Sequence, residues 1–193
     1  MAKLYFRYST MNAGKSVNLI TTNHNYIEND KKTLCLTSSK DNRYGVGKIT
    51  SRVGVSINAE MIYDNTNIYD VVEKENEISC VFVDEAQFLS KEQVFQLSDI
   101  VDKLDIPVIC YGLRSDYMLG VFEGSKYLMA IADNLEEIKT ICFECKSKKA
   151  IINAKIVDNK IVKKGEQIQI GGNETYRPLC RKCYKKILNN ENN

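Results

Sequence analysis

Three groups of residues carry types and spacings that could do chemistry. The first is STMNAGKS, residues 9–16, which matches the phosphate-loop pattern G-x-x-x-x-G-K-[ST] everywhere except its first position. In such a loop Gly14 lets the main chain approach the phosphates. Backbone N–H groups of Ser9, Thr10, Met11, Asn12 and Ala13, with the following helix N-terminus, then point at the anion. Lys15 reaches the β- and γ-phosphates, and the Ser16 hydroxyl can ligate Mg²⁺. Ser9 departs from the pattern: a positive φ at that position would strain a serine.

The second group follows a run of apolar residues in ISCVFVDEAQF. Ligands of open α/β sheets sit outside the carboxyl ends of strands, so Asp84 and Glu85 face the expected site. Asp84 suits the Mg²⁺-side aspartate of phosphate-loop proteins, acting through water. Glu85 is free to accept the proton of an attacking hydroxyl. The plainer alternative is that the pair opens a helix, whose dipole favours acids; the phosphate loop upstream weighs against it.

The third group is two Cys-x-x-Cys pairs, Cys142/Cys145 and Cys180/Cys183, separated by 34 residues (146–179). Four thiolates are the set that a closed, structural zinc site wants. A redox pair or buried free thiols compete with that reading, but two matched pairs favour zinc. The other three cysteines, Cys35, Cys80 and Cys110, lie in apolar runs and read as small core residues. His24, the one histidine, lies in a polar helical stretch and reads as a surface residue.

The elements that must position these groups alternate. KLYFRY (3–8), TLCLTS (33–38), ISCVFV (78–83) and IPVICY (106–111) read as strands, the last two buried on both faces. Helices are expected at 15–28, 68–74, 91–103 and 124–132, the third opened by a Ser90/Gln93 capping box. Residues 39–58, with three glycines and Arg43, Lys48 and Arg52, read as one long loop. Beyond residue 140 a hairpin-like segment (150–163) and a glycine-bearing loop (165–175) lie between the cysteine pairs. The pattern implies a parallel sheet covered by helices.

Composition is consistent with this. The 193 residues suit one domain with a small appendage. With 44% hydrophobic and 27% charged residues, a packed core is the expectation. A formal charge of +2 argues against a dedicated nucleic-acid binder. No run approaches the length of a membrane span, and the N-terminus lacks a signal-peptide layout, so the cytoplasm is the expected location.

Taken in order, YSTMNAGKS, VDEAQFL, CYGLRSDY, ICFEC and IGGNETYRPLCRKC resemble the thymidine kinases of the cytosolic, zinc-containing type, over about residues 5–185. The resemblance implies transfer of the γ-phosphate of ATP to the 5′-hydroxyl of thymidine, or deoxyuridine, in nucleotide salvage. It implies an α/β fold: a P-loop (RecA-like) parallel sheet covered by helices over 1–139, a small zinc-bound subdomain over 140–188, and a disordered tail, 189–193. On the matching motif Asp84-Glu85-Ala86-Gln87, Glu85 is the catalytic base and the segment borders ATP. Asp41-Asn42-Arg43 falls on a segment near the ATP phosphates. Tyr117 and Phe122 fall on aromatic walls of the thymine pocket. Gln167, Ile168, Gln169, Ile170, Gly171 and Tyr176 fall on a lasso-like loop that encloses the base. Further implications are one zinc per chain, Mg²⁺ with ATP, a homotetramer, inhibition by thymidine triphosphate, and no nucleic-acid or membrane partner. Ser9 replaces a glycine found in many members.

Two other readings stand beside it. One is a nucleic-acid-dependent ATPase, since DEAQ is similar to helicase acidic boxes and zinc ribbons often bind nucleic acid; the size and the near-neutral charge oppose it. The other is a zinc-ribbon binding module on a vestigial nucleotide fold. Thymidine-dependent ATP turnover separates the kinase from both.

Overall fold

The computed structural model describes residues 1–41, 45–158, 160–168 and 175–190. Its centre is a six-stranded parallel sheet built from β1 (Leu4–Ser9), β2 (Lys32–Ser38), β5 (Glu60–Ile62), β6 (Ile78–Asp84), β7 (Val108–Leu113) and β8 (Asn134–Glu137). The spatial order is β5-β2-β6-β7-β1-β8. Strand periodicity explains why both faces must be covered. Leu34, Leu36, Val81, Val83, Val108 and Cys110 point to one face. Cys35, Cys80, Phe82, Ile109 and Tyr111 point to the other.

Helices α2 (Ile68–Glu73), α3 (Lys91–Leu104) and α4 (Glu123–Ile131) cover the first face. Val94, Leu97, Ile100 and Val101 of α3 supply the spacing of a helical stripe. Ser90 and Gln93 form the reciprocal capping box expected of them. The Gln93 amide also donates to the carbonyls of Tyr63 and Thr66, fixing α3 to the preceding loop. Helix α1 (Lys15–Glu28) covers the second face with Leu19 and Ile20, beside Ile49.

Beyond this sheet lies a three-stranded antiparallel one, ordered β10-β9-β11, from β9 (Ile152–Val157), β10 (Lys160–Ile161) and β11 (Tyr176–Leu179). The last helix, α5 (Arg181–Asn190), packs Tyr184 against Ile152, Ile156, Ile161 and Leu179.

The structure corrects two local expectations and adds three elements beyond those expected. Residues 39–58 are not one loop: β3 (Lys48–Thr50) and β4 (Ser56–Asn58) form an antiparallel hairpin. Strand β5 then pairs with β2 as a sheet edge. β8, sequence NLEE, is largely exposed and, among the described residues, pairs only with β1, so it lacks the apolar alternation that announces a strand. Asn189 and Asn190, placed in a disordered tail, continue α5, whose start at the second cysteine pair went unmarked because its apolar stripe is short. Residues 191–193 lie outside the described residues. His24 is on the surface beside Glu28, as expected.

Candidate active site

The carboxyl ends of β1, β6 and β7 are adjacent, so the loops that follow them share one edge of the sheet. After β1 the chain turns through two left-handed positions, Asn12 (φ 61°) and Gly14 (φ 76°). Gly14 is the residue before α1, and among the described residues no side chain caps that helix. The α1 N-terminus therefore keeps its N–H groups for an anion. Ser9 ends β1, registered with Leu113, and takes no positive φ. The strain feared for a serine does not arise. The buried Lys15 ammonium instead donates to Ser9 Oγ (3.0 Å) and to the Thr10 carbonyl (3.1 Å). Thr10 Oγ1 is buried with no partner among the described residues.

From the end of β6, Asp84 accepts a hydrogen bond from the Ser16 hydroxyl at 2.9 Å. The two residues assigned to Mg²⁺ thus meet across 68 positions of sequence. Burial pushes the Asp84 carboxyl above the usual carboxylate range, against the pull of the Ser16 hydroxyl, the Glu85 N–H and the Lys15 charge. A buried carboxylate with a hydroxyl at its side and a loop lysine nearby is short of positive charge, and a divalent cation would supply it.

Glu85 is half-buried and held in the left-handed region (φ 53°), a strained conformation for glutamate. Gln87 accounts for its placement. The Gln87 amide N–H donates to the Glu85 carboxylate at 2.5 Å, while its carbonyl accepts from the Leu113 N–H at 3.0 Å. A Cβ at Gly112 would lie 2.9 Å from that carbonyl oxygen, so β7 needs glycine there to seat Gln87. Gln87 lines the same cleft as the phosphate loop, and its side chain bonds both Glu85 and β7. Ala86 is fully buried beneath the site.

The aromatic residues assigned to a nucleoside pocket also converge. Tyr117, Phe122 and Tyr176 are buried; the rings of Tyr117 and Tyr176 stand 6.1 Å apart, and Phe122 meets Phe88 edge-on at 5.7 Å. The Tyr117 hydroxyl donates to the Glu166 carbonyl (3.0 Å), and the Gln167 amide donates to Asp116 (2.8 Å). One cleft of about 560 Å³ is lined by residues 11–16, Asp41, Asp84, Glu85, Gln87, Tyr117, Phe122, Gln167, Ile168 and Tyr176. That volume suits small-molecule ligands. Asn42, Arg43, Gln169, Ile170 and Gly171 lie outside the described residues.

Three residues of the site had no role assigned: Ser115 and Asp116, within CYGLRSDY, and Asn153, outside every motif; all are buried and line the cleft. Asn153 had one visible signal, a polar side chain inside the apolar run IINAKIV. Asp116 accepts from the N–H groups of Met118 and Gly120, holding the turn that carries Tyr117.

The sulfur atoms of Cys142, Cys145, Cys180 and Cys183 all lie within 4.8 Å of one another, with Cys145 and Cys180 at 3.9 Å. A tetrahedral site with metal–sulfur bonds of about 2.3 Å places its sulfurs about 3.8 Å apart. The cluster could therefore hold a metal such as zinc. It does not line the cleft.

Comparison with known proteins agrees with this geometry. A family model described as thymidine kinase matches residues 2–184. The chain is 54% identical over 189 residues to a thymidine kinase of Haemophilus influenzae, covering 96% of this chain and 97% of that one. It is 51% identical to a thymidine kinase of Lactiplantibacillus plantarum, covering 95% and 96%, and 50% identical to one of Pasteurella multocida, covering 97% and 99%. A solved structure titled "Crystal structure of Bacteroides Pif1 bound to ssDNA" aligns with a TM-score of 0.33 at 10% identity, over 68% of this chain and 33% of that one. That likeness is too weak to carry an argument. With a phosphate loop, an acidic pair and an aromatic pocket in one cleft, and relatives matched end to end, the chain belongs to the thymidine kinase family.

Proposed function

We propose that the protein transfers the γ-phosphate of ATP to the 5′-hydroxyl of thymidine, and of deoxyuridine, giving the nucleoside monophosphate and ADP. The observation that carries this reading is the shared cleft: the phosphate loop, Glu85 and the Tyr117–Phe122–Tyr176 pocket line it together. The relatives' names support the acceptor.

In the reaction, the N–H groups after Gly14 hold the phosphate chain, and Lys15 turns from Ser9 to the γ-phosphate, where charge builds. Glu85 takes the proton of the 5′-hydroxyl as oxygen attacks phosphorus. Gln87 holds the Glu85 carboxylate in place. Ser16 and Asp84 would hold Mg²⁺, which when bound neutralises the developing phosphate charge. Asp41, with Asn42 and Arg43 beside it in sequence, borders the same phosphates.

Residues 1–139 act as the nucleotide-binding unit and 140–188 as a zinc-bound subdomain, in which four cysteines fix the base of the lasso. Main-chain groups of Gln167–Gly171 read the base. Thymine offers an N3–H donor between two acceptors, whereas cytosine reverses two of these groups. Each buried group left unpaired costs about 1–3 kcal/mol, so deoxycytidine should be poorer by roughly 30- to 10⁴-fold. The family resemblance supports a cytoplasmic homotetramer inhibited by thymidine triphosphate. Among the described residues no helix is long and apolar enough to cross a membrane.

The test is ATP turnover against a nucleoside panel, with Lys15→Ala as the control. Thymidine and deoxyuridine should be phosphorylated, deoxycytidine poorly, and Lys15→Ala should be inactive with an unchanged circular dichroism spectrum. Equal kcat/KM for deoxycytidine and thymidine would reject the acceptor assignment.

A further inference from the structure

Strand β9 is apolar where it meets the C-terminal core, through Ile152, Ala154 and Ile156. Asn153 interrupts this run and is 3% exposed. A buried amide in an apolar strand is costly unless both halves of it are satisfied. Both halves are satisfied, by two different loops. Asn153 Oδ1 accepts from the Met11 N–H at 2.7 Å, within the phosphate loop. Asn153 Nδ2 donates to the Ser115 carbonyl at 3.0 Å, one residue before Asp116 and two before Tyr117. The sequence separations are 142 and 38 residues, so neither bond follows from local folding.

The same strand is tied down at its other side. Asn153 is registered with Pro178 of β11, and β11 runs directly into Cys180. Two residues before Asn153, the Ile151 carbonyl accepts from the Arg114 side chain at 3.0 Å. From its place on β9, Asn153 holds the phosphate loop with one atom and the nucleoside loop with the other.

Building on the kinase reading above, we infer that Asn153 is a positioning residue for phosphoryl transfer: it sets the spacing between the phosphate loop and the loop that carries Asp116 and Tyr117. Transfer between two bound substrates is sensitive to that spacing, since a misplacement of about 1 Å can cost on the order of 10²-fold in rate. The link also makes the phosphate site depend on the C-terminal sheet, although the cysteine cluster itself does not border the cleft. A residue that merely packed the sheet would affect stability and leave the kinetics alone.

The variants Asn153→Leu, branched alike with the same number of side-chain heavy atoms but bulkier and without hydrogen bonds, and Asn153→Ser, smaller and able to serve one partner, separate these cases. Each is purified with its metal content and melting temperature measured. Each is then assayed for kcat and both KM values, and by calorimetry for binding of Mg²⁺–inorganic triphosphate without nucleoside. In Asn153→Leu, kcat should fall at least about tenfold and triphosphate binding should weaken by a similar factor. Thymidine KM should stay within about threefold of the parent, and metal content should be unchanged. Asn153→Ser should fall between Asn153→Leu and the parent. If Asn153→Leu does not fold, Asn153→Ser alone must show the same split. Parental kcat and parental triphosphate affinity in a folded variant would overturn the inference. Absence of thymidine-dependent turnover in the parent would instead reject the kinase reading, and the triphosphate measurement would still judge Asn153.

Discussion

Asp84 and Glu85 are neighbours in the chain with different surroundings, and the difference assigns their duties. Asp84 is buried against the Ser16 hydroxyl, while Glu85 lies half-buried at the cleft with its carboxylate held by Gln87. General-base catalysis contributes typically about 10²–10⁴-fold. Glu85→Gln should lower kcat within that range while leaving ATP binding intact, measured by steady-state kinetics and calorimetry; a loss below about tenfold would point to another base. Asp84 carries a stability consequence as well. Its carboxyl is raised by burial, so the folded protein binds that proton more tightly than the unfolded chain does. The stability associated with the group is therefore present below the ordinary carboxylate range and is lost as pH rises through the raised folded value. Asp84→Asn should make the ligand-free protein melt higher than the parent at neutral pH, with the gap closing toward acid, while Mg²⁺–ATP-dependent turnover disappears. Thermal scans of both proteins at several pH values check this.

At the scale of elements, the turn after β7 and the lasso are held to each other by Asp116–Gln167 and Tyr117–Glu166. The Gln167 side chain grips the turn, which frees main-chain groups to read the base. A typical hydrogen bond contributes about 0.5–1.5 kcal/mol net. Gln167→Ala should thus raise KM for thymidine and deoxyuridine together by roughly 2- to 10-fold. Its preference over deoxycytidine should survive, as should that of Gln169→Ala. Collapse of the preference in either variant would show that side chains, not backbone, discriminate. The strands that buried themselves on both faces were legible as apolar runs, and α3 was legible from its cap. β5, β8 and the β3–β4 hairpin were not, because short strands at an edge or outside the main sheet need little apolar alternation. Helix α5 escaped notice because tertiary packing against β9 and β10, rather than a long stripe, holds it.

Across the whole molecule the cysteines divide by environment. Burial pushes the Cys35 and Cys80 thiols up to about 12 and raises Cys110 further, so all three stay protonated and shielded at neutral pH. The other four share one cluster that a metal would protect. Alkylation of the folded protein should therefore label no cysteine while metal is bound. After a strong chelator it should label Cys142, Cys145, Cys180 and Cys183, leaving Cys35, Cys80 and Cys110 untouched until denaturant is added. Mass spectrometry reads the pattern, and chelation should lower turnover in parallel as β9 and β11 lose their anchor. Labelling that is indifferent to the chelator would reject the metal site.

The phosphate loop, the acidic pair and the cysteine pairs were all determined by sequence alone, because each is a short contiguous motif whose chemistry follows from residue type and spacing. What only the tertiary structure decided is which distant segments meet. Gln87 reaching β7 over Gly112, Ser16 touching Asp84, and Asn153 bridging Met11 to Ser115 depend on strand order and register. Those are set by burying both sheet faces at once, a global requirement that no local pattern of residues encodes.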